Sequence, residues 1–323
     1  MTGTTSRERR TVTVVMSARS LPYARACLTS LLRNALEPLY LRILTDSDLD
    51  RAAIAEVFAH MAHGEHEVDI PGGMITDGIP EQYYERYPRI AEFRRGHPCW
   101  RKVTDPQAFA RAGEDVIVID PDVYFPNVFA FEPPRPHGIL LMRQGPNCLL
   151  PEPLVRDYFA AGIPLADHTD IGVCQYTAPL DNDYLEWLLG RVPVMTYARS
   201  MHVESVIWAA LGLRMGGGYF APDAYHCYAN TPTKRVSRKL GGRGVDELAR
   251  LRLAGMKAFH AGGVAKHWLA AAERRGVFGQ PLKTIAPIAI APYLPYTSEK
   301  FERKFAVRRW AALAGVYRLL GSN

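Results

Sequence analysis

Val116-Ile117-Val118-Ile119 is a run of four β-branched residues that ends directly in Asp120-Pro121-Asp122. Such a run reads as a strand covered on both faces, as in the parallel sheet of an α/β domain. Ligands of such sheets bind beyond the carboxyl ends of the strands. Two carboxylates placed there offer hard oxygen ligands to a divalent cation, and a cation held there can carry phosphates. The spacing alone is no signal, because Asp-x-Asp recurs at Asp46/Asp48, Asp48/Asp50 and Asp181/Asp183. Asp181 and Asp183 read as helix-capping acids ahead of Tyr184 to Leu189, and Asp48 and Asp50 precede a helix expected from Arg51. Only Asp120 and Asp122 close a β-branched strand. The competing reading at that point is a strand ending in a solvated turn.

The rest of the chain supplies the partners of that strand. Residues 1–10 are polar and basic, and are expected to be a disordered lead without the apolar segment of a secretory signal. Thr11 to Ala18 reads as a first strand, Pro22 to Asn34 as a helix, and Leu39 to Thr45 as a second strand. Arg51 to His63 reads as a helix, and Glu67 to Ile70 as a third strand. Alternating strands and helices of this kind predict a parallel, right-handed sheet. Ser17, Arg19 and Asp46 then lie side by side where two strands end, as candidates for holding a nucleotide's base and ribose. Residues 72–98 are expected to be a loop with one helix. A helix from Cys99 through Phe109, a strand over Gly138 to Met142 and a helix over Leu154 to Ala161 follow.

Composition narrows the class. The 323 residues suffice for one sizeable core; 48% are hydrophobic and 22% charged, as in an ordinary globular protein. No uninterrupted apolar run is long enough to span a bilayer. Five scattered cysteines without Cys-x-x-Cys spacing fit reduced thiols in a cytoplasmic protein better than a disulfide frame or a zinc site. The net charge of +6 is concentrated in two places. Lys234, Arg235, Arg238, Lys239 and Arg243 form one cluster, and six cations from Lys300 to Arg318 form the other. Basic clusters face phosphates, anionic lipid or nucleic acid, or are simply solvated; no nucleic-acid module accompanies these, so no nucleic-acid partner is expected. The first cluster, over 232–244, is broken by Gly, Pro and Ser and reads as a mobile loop that would serve as a lid.

Three further stretches carry candidate chemistry. Asp167 to Tyr176 places polar residues before a strand. Asp170 there is a candidate for contacting a sugar hydroxyl, against an ordinary edge turn. Glu204 opens an apolar helix, so it is either an acid stabilised by the helix dipole or a catalytic carboxylate. In Met256 to Trp268, His260 is a metal-capable imidazole. Gly262 and Gly263 let the backbone bend close to a phosphate, and Lys266 brings a point charge to the same group.

His260, Gly263, Lys266 and Trp268 resemble the His-x-x-Gly-x-x-Lys-Pro-Trp motif of the retaining glycosyltransferases of family 8. That family includes glycogenin and the bacterial lipooligosaccharide galactosyltransferases. His267 stands here in place of the proline. The family's strand ending in Asp-x-Asp resembles Asp120 and Asp122, its upstream basic residue Lys102, and its Asn-x-Gly strand start Asp170-Ile171-Gly172. The resemblance spans roughly residues 11–270. It implies a GT-A fold: a mostly parallel twisted sheet flanked by helices, with a nucleotide-sugar half (11–125) and an acceptor half (126–295). It implies Mn²⁺ or Mg²⁺ on Asp120, Asp122 and His260, with Lys266 and Gly263 at the diphosphate of a UDP-sugar. Lys102 and Asp170 would orient the donor sugar, which would pass with retention to a glycan or lipid-linked acceptor.

Residues 296–323 mix cations with Phe301, Phe305, Val307 and Trp310. By similarity to bacterial members this segment sits at the inner membrane surface; the alternative is a helix docked on the domain. Two other functions compete with retaining transfer. One is an inverting transferase or nucleotidyltransferase of the same fold, with Glu204 or Asp167 as base. The other is a non-catalytic nucleotide-sugar or membrane-surface binding protein.

Overall fold

The structure, a computed structural model, describes residues 9–61, 64–147, 149–279 and 282–313. Residues 1–8 of the expected lead, Cys148, and the end of the basic tail from 314 onward lie outside the described residues. The first half runs β1 (Arg10–Val15), α1 (Leu21–Asn34), β2 (Leu39–Leu44), α2 (Asp48–Ala59), β3 (Glu67–Asp69), α3 (Gly73–Tyr83), α4 (Pro88–Arg94), α5 (Arg101–Ala108), β4 (Asp115–Ile119), β5 (Val123–Tyr124) and β6 (Val128–Phe129). Then follow β7 (Ile139–Arg143), α6 (Glu152–Ala160), β8 (Leu165–Ala166), β9 (Thr169–Thr177), α7 (Asn182–Arg191) and α8 (Val203–Met215). The chain continues through β10 (Gly217–Phe220), β11 (Tyr225–Cys227), α9 (Pro232–Lys239), α10 (Gly244–Ala249), β12 (Ala258–His260) and α11 (Leu269–Arg274). It closes with β13 (Thr284–Ile285), β14 (Ile290–Ala291), β15 (Pro295–Tyr296) and α12 (Ser298–Leu313).

Eight strands form one sheet in the order β14-β10-β7-β9-β4-β1-β2-β3. β1, β2, β3 and β4 run parallel, as alternating strands and helices dictate. β9 is antiparallel to both β4 and β7, and β14 is antiparallel to β10; the other strands share one direction. The fold is therefore mixed α/β, with a large, mostly parallel sheet flanked by helices, as expected. The expected all-parallel surroundings of β4 are corrected on one side, where β9 runs against it.

β4 shows why its β-branched run is uninterrupted. Val116 and Val118 point into a core with Trp100, Tyr158 and Trp208, whereas Ile117 and Ile119 point into a second core with Leu28, Leu31 and Phe125. All four are buried. Alternation by two gives each face its own core, and burial on both faces removes any polar position. The sheet lies between α4, α5, α7 and α8 on one face and α1 and α2 on the other.

Several boundaries differ from expectation. α2 begins at Asp48 and not at Arg51, because the Ser47 hydroxyl accepts the Asp50 N–H at 3.1 Å. Residues 72–98 hold two helices, α3 and α4; Pro88 sits in the first turn of α4, where proline is tolerated, and Pro80 lies inside α3. The 232–244 segment, expected as an irregular lid, contains α9, whose first turn is capped by the Thr231 hydroxyl. Arg238 on α9 is fixed by Glu247 at 2.8 Å and lies over the Trp268 ring at 5.2 Å. No helix among the described residues is long and apolar enough to cross a membrane.

Candidate metal centre

A second, three-stranded sheet brings the distant halves of the centre together. β12 lies between β11 and β5, pairing His260 with Val123 on one side and with Cys227 on the other. The Ala261 N–H donates to the Asp122 carbonyl at 3.0 Å, and the Asp120 N–H donates to the Gly172 carbonyl at 2.9 Å. Backbone pairing therefore fixes the ends of β4, β9 and β12 against one another before any side chain is considered. The result is an imidazole beside two carboxylates. His260 Nε2 lies 3.6 Å from Asp120 Oδ2 and 3.3 Å from Asp122 Oδ1.

Behind the ring, His260 Nδ1 is 2.8 Å from Asp170 Oδ1, and the same oxygen accepts the Gly172 N–H at 2.9 Å. Asp170 is thus directed onto the histidine, and not into open space as a sugar contact requires. A carboxylate on Nδ1 holds the proton there and leaves the Nε2 lone pair for a cation. Gly172 is required for the close approach: a Cβ at that position would lie 2.5 Å from His260 Cγ. Burial opposes charge on His260, but Asp170 and Asp122 outweigh it and hold its pKa well above the ordinary value. Burial likewise works against ionisation of Asp122, and His260 with Lys266 and Lys102 reverses this, lowering its pKa. Asp170 is lowered in the same way, burial being overcome by His260 and the Gly172 N–H.

On the other side, Lys102 Nζ bridges Asp120 Oδ1 and Glu204 Oε1, both at 2.6 Å. Lys102 is buried, and its pKa is held well above normal because Asp120 and Glu204 overcome the effect of burial. Glu204 does stand in the first turn of α8, and it is also 4% exposed and bound to Lys102, which the first-turn reading alone did not include. One lysine cannot neutralise two buried acids, so burial, against the pull of Lys102, raises Glu204 to about 8. Its Oε2 has no hydrogen-bond partner among the described residues.

The remaining candidates line the same end of the sheet. Gly263 takes φ +66°, which its lack of a side chain permits, and it opens a 3₁₀ segment through Trp268. Lys266 Nζ lies 5.2 Å from the Tyr23 ring centroid, near enough to Asp122 to lower its pKa. Ser17, Arg19 and Asp46 follow β1 and β2, whose register sets Val15 against Leu44. Arg19 and Asp46 are exposed there. Two neighbours were not anticipated. His97 caps the turn before α5, and burial together with the Lys102 charge lowers its pKa. Cys227 sits beside Asp170 and His260. β11, only three residues long, gave no periodic signal that would have placed Cys227 there.

Asp120, Asp122 and His260 present one ligand atom each within 4.8 Å of one another. Adjacent ligands on an octahedral ion with bonds of about 2.1 Å lie about 3.0 Å apart, so a small contraction would close this set on a cation. Two carboxylate oxygens and one imidazole suit Mn²⁺ or Mg²⁺ in kind.

No protein-family model matches the sequence, and no curated protein matches it. Among solved structures, the chain is similar to mouse xyloside xylosyltransferase 1 at 11% identity, over 80% of this chain and 98% of that one, with a TM-score of 0.48. It is similar to the galactosyltransferase LgtC in complex with donor and acceptor sugar analogues at 12% identity, over 83% and 95% of the two chains, with a TM-score of 0.46. A core-mannan synthase A of Aspergillus fumigatus in its Mn/GDP form matches at 10% identity, over 67% and 76%, with a TM-score of 0.39. The chemistry assigned to this chain rests on its own residues.

Proposed function

We propose that this protein is a metal-dependent glycosyltransferase of the GT-A type, taking a sugar from a nucleotide diphosphate, UDP-hexose in first place, to a glycan or glycolipid acceptor with retention. One observation carries it: an imidazole from β12 lies within 3.6 Å of both carboxylates from the end of β4, far away in sequence. Asp120, Asp122 and His260 would hold Mn²⁺ or Mg²⁺, which when bound supplies charge neutralisation for a departing diphosphate. Lys266 adds a point charge at the same group, and Gly263 lets the backbone come close to it. Asp170 acts as a positioning residue that keeps His260 in the ligating tautomer. Lys102 fixes Asp120 and Glu204 in one buried chain.

Retention is favoured over inversion by the state of the available acids. Glu204, raised to about 8 by burial, is mostly protonated at neutral pH, which weakens it as a candidate base in the metal-free chain. Asp167, the other candidate base, accepts a hydrogen bond from Asn147. A scheme without a strong protein base fits both.

The test is thermal stabilisation by a panel of UDP-sugars, each with and without Mn²⁺. A ligand bound only by the folded chain stabilises it by about 2.7 kcal/mol at one hundred times its Kd. We expect a shift only when nucleotide and metal are both present, and its loss in Asp122→Asn. Absence of any metal-dependent nucleotide-sugar shift sinks the assignment.

A further inference from the structure

His260 is the meeting point of two ligand sets. Its Nε2 faces Asp120 and Asp122, as described. Its other edge faces Asp170 and Cys227, and these three residues also present one ligand atom each within 4.8 Å of one another. Asp170 Oδ1 already lies 2.8 Å from Nδ1. Cys227 is brought there by the parallel pairing of β11 with β12, which sets it directly opposite His260. All three side chains are buried: Asp170 is 6%, Cys227 8% and His260 8% exposed.

The two sets differ in chemistry. Oxygen, oxygen and imidazole suit a hard cation such as Mn²⁺ or Mg²⁺; thiolate, imidazole and a carboxylate oxygen suit Zn²⁺ or another softer ion. They also share one ring. A neutral imidazole has a single ring-nitrogen lone pair, so it ligates through Nδ1 or through Nε2. From this juxtaposition we propose that Asp170, Cys227 and His260 form an inhibitory site for a thiophilic divalent ion such as Zn²⁺, mutually exclusive with the hard-cation site on the other edge of His260.

The proton balance is simple. Zn²⁺ bonds to the Cys227 sulfur, whose proton leaves to solvent. It also bonds to His260 Nδ1, whose proton passes to Nε2 when Zn²⁺ replaces the hard cation and leaves to solvent when the ring starts as an imidazolium. Nε2, now an N–H, no longer ligates, and Asp120 and Asp122 are left with two oxygens for the hard cation. The position of Asp170 serves both states, as acceptor for Nδ1–H in one and as metal ligand in the other. The inhibitory part rests on the proposed Mn²⁺ or Mg²⁺ site; the existence of the thiolate site does not.

Two measurements on the full chain separate these parts. Co²⁺ added anaerobically reports a thiolate ligand by a sulfur-to-cobalt charge-transfer band in the near ultraviolet. We expect the band in the wild type, its loss in Cys227→Ser and Cys227→Ala, and its weakening in Asp170→Asn, which keeps the thiol. No band, or an equal band in folded Cys227 variants, overturns the site; if neither Cys227 variant folds, an unaltered band in Asp170→Asn overturns it. In the second measurement, the electron paramagnetic resonance of Mn²⁺ counts free against bound ion as Zn²⁺ is added. We expect Zn²⁺ to release Mn²⁺ at least tenfold more effectively from the wild type than from Cys227→Ser. Equal release from both overturns the inhibitory role. A chain that binds no Mn²⁺ at all loses the proposed function and the inhibition together, while the cobalt band still decides the thiolate site.

Discussion

At the scale of single residues, the centre is governed by two requirements: room for the His260 ring and a proton count that burial dictates. Gly172→Ala would put a methyl group 2.5 Å from His260 Cγ, so the ring must leave its place. Asp170→Asn leaves the ring in place but removes the carboxylate that fixes its tautomer. Metal affinity should fall by about 10–100-fold in Asp170→Asn and at least as much in Gly172→Ala, read by calorimetric titration with Mn²⁺. Glu204 gives a pH signature. Its folded pKa is raised from 4.5 to about 8, so its contribution to stability is full below about 4.5 and is lost as pH rises through about 8. In metal-free protein the wild type should lose on the order of 3 kcal/mol between pH 5 and pH 8 through this group. Glu204→Gln, which cannot titrate, should show a flatter profile of denaturation midpoint against pH. A steeper profile in the variant would contradict the assignment.

Among the elements, what the sequence announced and what it hid divide along one physical line. Strands β1, β2 and β4 and helix α1 were legible because periodicity and local turn chemistry determine them, to within a residue except at the end of β1, which stops at Val15 and not at Ala18. Asp181 was legible as a cap, and its side chain does accept the Tyr184 N–H at 2.9 Å. Long-range pairing was not legible. Nothing local to Thr169–Thr177 says that β9 runs against β4, yet that reversal is what carries Asp170 and Gly172 to the same end as Asp120. Likewise, the acid at Glu204 looks like any first-turn acid until α5 brings Lys102 against it. The tail falls between the two cases. β15 pairs with β8, and α12 docks through Phe301, which is 4% exposed and packs on Phe159 and Tyr296. Arg156 and Arg308 add ion pairs to Glu302 and Glu152. This part of the segment is a docked helix; Val307 and Trp310 stay exposed on it. Phe301→Ala should cost about 3 kcal/mol of local stability. Tryptic cleavage within 298–313 should then accelerate, while the global denaturation midpoint stays close to that of the wild type.

For the molecule as a whole, the centre joins segments that share no local structure. Asp120 and Asp122 end a strand of the large sheet, while His260 belongs to the small sheet and its satellite core of Leu248, Phe259 and Leu269. A cation bound there links both sheets. Hydrogen exchange should therefore slow on Mn²⁺ addition at residues 116–124 and 258–262 together, with no change in Asp122→Asn. Slowing at one segment alone would mean that the ion binds elsewhere.

The large sheet also stops abruptly at both margins. One is β3, three residues long and carrying Glu67 and Asp69; the other is β14, two residues long. An intruding chain needs a longer run of free backbone donors and acceptors to add itself as a further strand. Concentrated solutions of the folded chain should accordingly resist strand-mediated clumping and fibril growth, and whatever self-association occurs must use side-chain surfaces instead.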